Sequence, residues 1–407
     1  MHGITLIALV VTIVVLLILA GITISLVFSE NGIIAKAREA ANKTNEAIIN
    51  EQTQMNDVTA AMENMLNGTG GSTTPEEPEG CPAEEFEKWN GTSDDKVNAV
   101  QSTDTTPIAV PVPKGYVASK VTGETTVEDG FVIYEGEEEV NDTNKDTAQT
   151  TRNQFVWVPV ENPSEMYGRD ENCKKWGKLY EFDEEGITAR NWTEEDGVMS
   201  ITSATINREP DVVSDDSSNS VNLAQLETEF NNMIASVEKY GGFYIGRYET
   251  GSLSQEEAVV LKNNSDIANQ TWYTMYNKSK GVAANSNVTT SMIWGCQWDA
   301  VMRWMYNSGD AEKKTYTYDS TGKGNYNGTN GNEAIPTGTN DAYSVNNIYD
   351  MAGNVFDWTI EARNTNFRVV RGGGCNNGAR LSPASSRSND SPTSSDGVNG
   401  SRLALYM

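Results

Sequence analysis

An uncharged apolar stretch occupies residues 4–28, interrupted only by Thr, Ser, Ala and one Gly. A transmembrane helix needs about 20 apolar residues, whereas the apolar core of a signal peptide usually has about 7–15. The stretch is therefore predicted to form a membrane-spanning helix. Apolar residues then recur at steps of three, four or seven positions as far as Met65, so one helical face is predicted to continue to residue 66.

The composition changes after this helix. Residues 67–95 are rich in Gly, Ser, Thr, Pro and Glu, and a segment of this kind buries too little apolar surface to fold. It is predicted to be a flexible linker. Residues 96–407 then form the second part of the chain, in which short apolar runs alternate with polar stretches.

This second part is predicted to combine strands with a few helices. Apolar runs bounded by turn residues predict strands at 130–134, 154–160 and 242–248. Helical spacing of apolar residues predicts helices at 223–240 and 297–306. The polar stretches at 135–152 and 315–341 are predicted to be surface loops.

Charge and cysteine content exclude several kinds of function. The net charge of −27, from 57 acidic and 30 basic residues, argues against binding to nucleic acid, whose phosphates require basic surfaces. The cysteines show no spacing that is typical of a zinc site, and the single histidine is His2. The acidity is typical of a solvated exterior on an exported protein. The four cysteines are Cys81, Cys173, Cys296 and Cys375.

The N-terminus resembles that of the type IV pilins and pseudopilins. Gly3 followed by Ile4-Thr5-Leu6-Ile7-Ala8 is similar to a prepilin peptidase site, although Ala8 stands where most pilins carry Glu. The resemblance covers about the first 65 residues and implies a leader at 1–3, cleavage between Gly3 and Ile4, and a transmembrane and filament helix at 4–66. It also implies that the partners are other pilin subunits and that the chain is held in the membrane before assembly. An ordinary N-terminal membrane anchor is the alternative.

Several motifs of the second part resemble the formylglycine-generating-enzyme (sulfatase-modifying-factor) branch of the C-type-lectin fold. They occur in the order FVWVPV at 155–160, GGFYIGRYE at 241–249, NIYDMAGNVFDW at 347–358 and RGG at 371–373. The predicted fold class is therefore α+β, with a long pilin-type α-helix followed by a C-type-lectin-like domain at 96–407. Four tryptophans are predicted to lie in its core: Trp157, Trp294, Trp298 and Trp358.

The catalytic residues that this resemblance implies are missing from the chain. The enzyme carries a copper-binding cysteine pair near the C-terminus, and only Cys375 is found there; related iron-dependent sulfoxide synthases use histidines, and only His2 is present. We therefore predict that the protein is not an enzyme and needs no catalytic cofactor. A sulfatase-modifying-factor-like enzyme is kept as an alternative.

A structural calcium ion is the one metal that the resemblance implies. In the enzyme branch, the segment that matches 353–358 contributes to a calcium site. The main-chain oxygens of Gly353 and Val355 and the carboxylate of Asp357 would be the ligands here. The alternative is that Asp357 caps a turn or pairs with an arginine such as Arg363.

The polar stretch at 374–399, which we call the variable segment, resembles the variable region of diversity-generating-retroelement target proteins. In that family, a reverse transcriptase rewrites adenines of Asn-type codons. The matching framework residues are Arg371, Gly372, Gly373, Ser382, Pro383, Ala384, Arg387, Pro392 and 400–405. The residues predicted to face a ligand are Gly374, Cys375, Asn376, Asn377, Arg380, Ser388, Asn389, Asp390, Ser391, Ser395, Asp396, Gly397 and Asn399.

The genetic code offers a separate check on this interpretation. Rewriting the adenines of AAT or AAC never produces Lys, Glu, Gln, Met or Trp. These types make up 83 of 407 residues, so a window of 44 residues should hold about nine, whereas residues 363–406 hold none. Polar surface loops are also poor in these types, and an unselected polar loop is therefore the alternative.

The sequence as a whole predicts a pilin-anchored binding protein on the cell surface, a minor or tip subunit that presents a diversified site to a cell-surface, phage or glycan ligand. Three classes of protein compete. A binding module predicts sequence variation between sister cells that is confined to 374–399, an enzyme predicts turnover and a bound metal, and a purely structural pilin predicts neither.

Overall fold

The structure is a computed structural model, and it describes most of the chain from residue 87 onward. The described residues are 87–170, 173–175, 180–189, 192–195, 198–201, 221, 223–252, 258–265, 269–282, 285, 287–364 and 366–407. The chain divides into two units, Met1–Glu77 and Pro78–Met407, and the description concerns the second.

The predictions for the N-terminus lie outside the described residues. These are cleavage between Gly3 and Ile4, the helix at 4–66 and the linker at 67–95 up to residue 86. Within the described ranges, no helix is long and apolar enough to cross a membrane.

Five α-helices and 22 strands are found in the described residues. The helices are α1 Lys145–Thr151, α2 Leu223–Tyr240, α3 Trp272–Ser279, α4 Gly295–Asn307 and α5 Ala311–Tyr318. The first eleven strands are β1 Val97–Gln101, β2 Ala109–Pro113, β3 Tyr116–Ala118, β4 Val132–Glu135, β5 Gln154–Pro159, β6 Gly168–Asp170, β7 Cys173–Lys175, β8 Tyr180–Phe182, β9 Ile187–Ala189, β10 Trp192–Glu195 and β11 Val198–Ile201. The others are β12 Gly242–Gly246, β13 Gly251–Ser252, β14 Ala258–Val259, β15 Thr289–Met292, β16 Ser344–Val345, β17 Ile348–Tyr349, β18 Phe356–Asn364, β19 Phe367–Arg371, β20 Arg387–Asp390, β21 Asn399–Ser401 and β22 Leu403–Tyr406.

A six-stranded antiparallel sheet organises this part of the chain, with the strand order β15-β22-β12-β5-β4-β3. Residues of β12 alternate between the two faces. Tyr244 belongs to one hydrophobic cluster, together with Trp157 and Leu405, whereas Phe243 and Ile245 belong to the other. Both faces are therefore buried, which is why these strands are almost continuously apolar.

Helices cover one of these faces. Along α2, Leu226, Phe230, Met233 and Val237 recur at helical spacing and are buried in the larger cluster. The predicted helix at 223–240 is confirmed, and the helix predicted at 297–306 is α4. The four tryptophans predicted for the core are confirmed as buried, each at most 5% exposed.

Two stretches that were predicted to be loops contain helices. The stretch 135–152 holds α1, and 315–341 overlaps the end of α5. Helix α5 is short and polar, but the side chain of Asp310 caps it by accepting hydrogen bonds from the main-chain N–H groups of Glu312 at 2.7 Å and Lys313 at 3.1 Å. The loop prediction was wrong there because a cap, rather than an apolar stripe, defines the helix.

A four-stranded sheet with the order β20-β19-β18-β21 carries the variable segment. Strands β18, β19 and β20 are antiparallel neighbours, whereas β21 runs parallel to β18. The variable segment thus leaves the sheet after β19, adds β20 at its edge, and returns through β21 on the other side of β18.

Candidate functional site

Two glycines fix the entry to the variable segment. Gly372 and Gly373 have φ values of 84° and 79°, a left-handed conformation that L side chains rarely adopt. A Cβ on Gly372 would lie 2.5 Å from the carbonyl oxygen of Met351, and a Cβ on Gly373 would lie 2.6 Å from that of Ser382. Side chains are therefore excluded at both positions.

The framework positions inside the segment point into the domain. Ala384 is fully buried; its carbonyl accepts a hydrogen bond from Nε1 of Trp298 at 2.9 Å, and its N–H donates to Oγ of Ser320 at 2.9 Å. Pro392 is buried, and its carbonyl accepts from the N–H of Trp272 at 3.0 Å. These contacts hold the segment to α3 and α4 at two separate points.

A network of ion pairs between side chains holds β20 against the domain. Asp299 of α4 lies 2.7 Å from Nη2 of Arg371 and 2.8 Å from Nη2 of Arg387, and Nε of Arg387 lies 3.2 Å from Oε1 of Glu361. Burial, together with the neighbouring charge of Arg387, lowers the pKa of Arg371 to about 10, against the attraction of Asp299. The first residue of β20 is thus tied to α4 and β18 by charge.

The outer positions of the segment are accessible to solvent. Of the residues predicted to face a ligand, six are exposed: Asn376, Arg380, Ser388, Ser395, Asp396 and Gly397. Four more are half-buried: Asn377, Asn389, Asp390 and Ser391. Some of these already have partners, since Oδ1 of Asn389 accepts from Arg363 at 3.1 Å.

Three residues that were predicted to face a ligand are buried instead: Gly374, Cys375 and Asn399. The N–H of Gly374 donates to Oδ1 of Asn377 at 2.9 Å, and the amide of Asn399 donates to Oδ2 of Asp390 at 2.8 Å. Cys375 donates from its main-chain N–H to the carbonyl of Asn354 at 2.8 Å and from Sγ to that of Asn332 at 3.2 Å. These residues lie at the two ends of the segment, where hydrogen bonds hold them. Their assignment to the ligand-facing surface is therefore corrected.

The glycines inside the segment differ from those at its entry. Gly374, Gly378 and Gly397 all lack a positive φ. A Cβ at Gly374 would come no closer than 3.4 Å to another atom, and a Cβ at Gly378 no closer than 4.0 Å. At Gly397 the nearest atom would be a side-chain oxygen at 3.3 Å. A Cβ therefore fits at all three positions.

This contrast gives a direct prediction. Gly373→Ala should lower the free energy of unfolding by about 2 kcal/mol, because the left-handed backbone and the contact with Ser382 both oppose a methyl group. Gly378→Ala, the matched control, should change it by no more than about 0.5 kcal/mol. Urea denaturation of the two variants measures the difference. Equal losses of unfolding free energy in the two variants would contradict this difference between Gly373 and Gly378.

Some residues of this surface were not predicted from the sequence motifs. Leu381, in the connection between β19 and β20, is 89% exposed, although leucine is apolar. Phe356, half-buried in β18, contacts the chain on both sides of β20. Its N–H donates to the carbonyl of Val398 at 2.8 Å, between β20 and β21, and its ring lies against Gly374, between β19 and β20. Asn269 borders Gly397 from outside the segment. The sequence signal that could have identified one of these surface residues is an apolar residue in a polar stretch. It applies to Leu381 but not to Phe356 or Asn269.

The calcium prediction concerned Gly353, Val355 and Asp357. Asp357 is buried, and its Oδ2 accepts a hydrogen bond from Nε of Arg402 at 3.2 Å, while Oδ1 has no hydrogen-bond partner among the described residues. Burial raises the pKa of Asp357 to about 6 despite the opposing charge of Arg402. Within the described ranges, no three His, Cys, Asp or Glu side chains are grouped so that they could hold a metal.

The guanidinium of Arg402 is fully buried and supplies the positive charge at this position. It also donates to the carbonyl oxygens of Gly246 at 3.0 Å and Tyr349 at 2.7 Å. A single carboxylate that is already shared with an arginine is a poor donor set for calcium, which takes six to eight oxygens. The geometry therefore favours the alternative of an arginine pair, with Arg402 in place of Arg363.

The comparison with protein families concerns this same region. Residues 283–407 match the FGE-sulfatase family, described as the sulfatase-modifying factor enzyme 1-like domain. The matched residues include α4, the four-stranded sheet and the variable segment. The match supports the predicted sulfatase-modifying-factor type of C-type-lectin-like domain, in an arrangement that is α+β.

The solved structures that are similar to part of the chain include three that each cover 41% of it. They are Treponema denticola variable protein 1, at 16% identity over 85% of that chain with a TM-score of 0.29; PvdO from Pseudomonas aeruginosa, at 15% over 82% with 0.29; and CarF, at 14% over 87% with 0.32. No curated protein matches it.

Proposed function

We propose that this protein is a surface-displayed binding protein whose variable segment forms a diversified ligand-binding face. In this proposal, the pilin-type helix at 4–66 places the domain on a pilus, as a minor or tip subunit. The anchor rests on the sequence alone. The binding face rests on both the sequence and the geometry of the segment.

One observation carries the proposal. Positions that the resemblance treats as framework are fixed by burial, by hydrogen bonds or by left-handed backbone, whereas the glycines at 374, 378 and 397 leave room for a Cβ. A segment that is rewritten between generations must fold with many sequences. The separation of fixed from permissive positions is what such a segment requires.

The exposed residues are chemically suited to this role. Ser, Asn, Asp and Gly provide adaptable hydrogen bonds, as in antibody paratopes, and Arg380 adds a planar donor. Leu381 adds an exposed apolar side chain that a partner can cover. A ligand on another cell, on a phage or in a glycan coat is consistent with this mixture.

The family match favours one other function, that of a sulfatase-modifying-factor-like enzyme. The chain has only Cys296 and Cys375 within the matched residues, both buried, with Cys296 in α4 and Cys375 after β19. Conversion of a cysteine-containing sulfatase peptide to formylglycine by the purified chain would establish this alternative. No conversion is expected.

The proposed binding face is tested by removing its exposed side chains together. The five changes are Asn376→Ala, Arg380→Ala, Ser388→Ala, Ser395→Ala and Asp396→Ala. Exposed polar substitutions each change stability by no more than about 0.5 kcal/mol, so the variant should remain folded and displayed. Cells that carry it should lose adhesion to whichever of three probes the parent binds: sister cells, phage particles or a glycan array.

A control variant removes five exposed polar side chains elsewhere on the domain. Its changes are Lys88→Ala, Asn98→Ala, Asp146→Ala, Thr147→Ala and Thr150→Ala. It should keep full adhesion. Unchanged adhesion in the first variant, or equal losses in both, would contradict the proposed binding face.

A further inference from the structure

Two asparagines outside the variable segment are joined to it through the main chain. The N–H of Asn327 donates to the carbonyl of Asn377 at 2.9 Å, and the N–H of Asn269 donates to the carbonyl of Asp396 at 3.2 Å. The two accepting residues lie near opposite ends of the segment. We call Asn269 and Asn327 the flanking asparagines.

The position of the flanking asparagines does not depend on the side chains that are rewritten. Both hydrogen bonds join main-chain groups, and every amino acid at position 377 or 396 keeps its carbonyl group. Both asparagines also lie outside residues 363–406, the window that lacks Lys, Glu, Gln, Met and Trp. They therefore keep their place beside the segment while its side chains change.

Both side chains are exposed, and neither forms a hydrogen bond with another described residue. An amide side chain carries two N–H donors and one carbonyl acceptor, and all of them are available to a ligand here. Oδ1 of Asn269 lies 3.3 Å from the point that a Cβ on Gly397 would occupy. This amide therefore borders a position that is predicted to face a ligand.

The loop that carries Asn327 is held in one conformation by its own hydrogen bonds. The hydroxyl of Tyr326 donates to the carbonyl of Ser382 at 2.8 Å, which joins the loop to the variable segment at a second point. Oδ1 of Asn325, a fully buried residue, accepts from Oγ1 of Thr329 at 2.9 Å. A side chain that is presented by a preorganised loop loses less conformational entropy on binding.

The backbone explains one of the two asparagines but not the other. Asn269 has a φ of 66°, in the left-handed region where asparagine is enriched. Asn327 has no positive φ, and its amide forms no hydrogen bond within the described part of the chain. The amide of Asn327 is thus available for recognition and has no role in holding the fold.

An amide is uncharged and both donates and accepts, so it pairs with hydroxyls of a sugar or with main-chain amides of a protein. We propose that the flanking asparagines are the constant part of the binding face. Their amides hydrogen-bond an uncharged polar group that the ligands of sister chains share, while the rewritten side chains distinguish one ligand from another. This inference rests on the proposed binding face.

The double variant Asn269→Gly and Asn327→Ala, made in the full chain on cells, tests this inference. Glycine accepts the left-handed backbone at 269, and both main-chain N–H groups remain. Adhesion to whichever of sister cells, phage particles or a glycan array the parent binds should weaken about tenfold, because two neutral hydrogen bonds are lost. Binding to the glycan array assigns the shared group to sugar hydroxyls, and binding to phage particles or sister cells without glycan binding assigns it to main-chain amides.

The matched control is Asn263→Gly with Asn98→Ala, which makes the same kinds of change away from the segment. Asn263 is exposed with a φ of 58°, and its N–H donates to the carbonyl of Thr337 at 2.8 Å. The control should keep full adhesion, and thermal unfolding should show that both double variants remain folded. If the first variant is destabilised, Asn269→Asp with Asn327→Asp keeps the shape of both side chains, removes their N–H donors, and should also weaken adhesion.

A chain from a sister cell with a different variable segment provides a second measurement. The same two changes, to Gly at 269 and to Ala at 327, should weaken the adhesion of that chain to its own probe by a similar factor. The reason is that the two amides are common to both chains, whereas the rewritten side chains are not.

Three outcomes would overturn the inference: unchanged adhesion in the variant of the flanking asparagines, an equal loss in its control, or a loss in only one of the two sister chains. The proposed binding face still stands in these cases if the five changes on the variable segment abolish adhesion. Unchanged adhesion after those five changes, or no binding of the parent to any of the three probes, would contradict the proposed binding face and this inference with it.

Discussion

Trp298→Ala should lower the free energy of unfolding by about 3–5 kcal/mol, the usual cost of truncating a buried tryptophan. The ring is fully buried and lies 5.6 Å from the guanidinium of Arg371, and Nε1 donates to the carbonyl of Ala384. The substitution would therefore leave a cavity and also release one of the points that hold the variable segment. Urea denaturation followed by fluorescence measures the loss.

Trp304 provides the control for this prediction. It lies on the same helix α4 but is only half-buried, so Trp304→Ala should cost clearly less than Trp298→Ala. The two variants lose the same number of indoles. A loss at position 298 that is no larger than the loss at 304 would contradict the central role of Trp298.

Asp299→Ala should be comparably destabilising, by about 3–5 kcal/mol, for an electrostatic reason. Its carboxylate pairs with Arg371, which is fully buried, and with Arg387, whose side chain is 9% exposed, and it also accepts from the N–H of Tyr180 at 3.1 Å. Removing the Asp299 carboxylate leaves two guanidinium groups of like charge. Glu361 still pairs with Arg387. Chemical denaturation of the purified chain gives the change in free energy.

Two further substitutions separate charge from shape at this position. Asp299→Asn keeps the shape and loses the charge. Its one oxygen can serve the donors of only one side, and its NH2 group then faces the donors of the other, so its cost should be similar to that of Asp299→Ala. Asp146→Ala removes an exposed carboxylate from α1 and should change stability by no more than about 0.5 kcal/mol. A cost for Asp299→Ala as small as that for Asp146→Ala would show that the network does not stabilise the fold.

Much of the α+β fold was predictable where the pattern was long and regular. Helix α2 was predicted with its full length because apolar residues repeat over 18 positions. Short polar helices such as α1 and α5 were missed, since they lack an apolar stripe. Asp310, directly before α5, was a capping signal that could have indicated the second of them.

The candidate site was predictable in outline but not at its ends. The polar composition of the segment correctly indicated exposure for residues such as Asn376 and Ser395. It failed for Cys375, which is buried by contacts with Asn332 and Asn354, because no local pattern relates residues that are tens of positions apart. Asp299 was missed for the same reason, although both of its arginine partners were recognised as framework positions.

The two ends of the variable segment lie on either side of one residue. Asp357 pairs in register with Arg371 of β19 on one side and with Gly400 of β21 on the other. Adjacent strands are about 4.7–4.9 Å apart, so the anchoring points are separated by about 10 Å however long the chain between them is. The entropic cost of closing a flexible loop grows only with the logarithm of its length, about 0.6 kcal/mol per doubling. The domain can therefore accept insertions and deletions around Leu381 at little cost, and ligand recognition can diversify through loop length as well as through substitution.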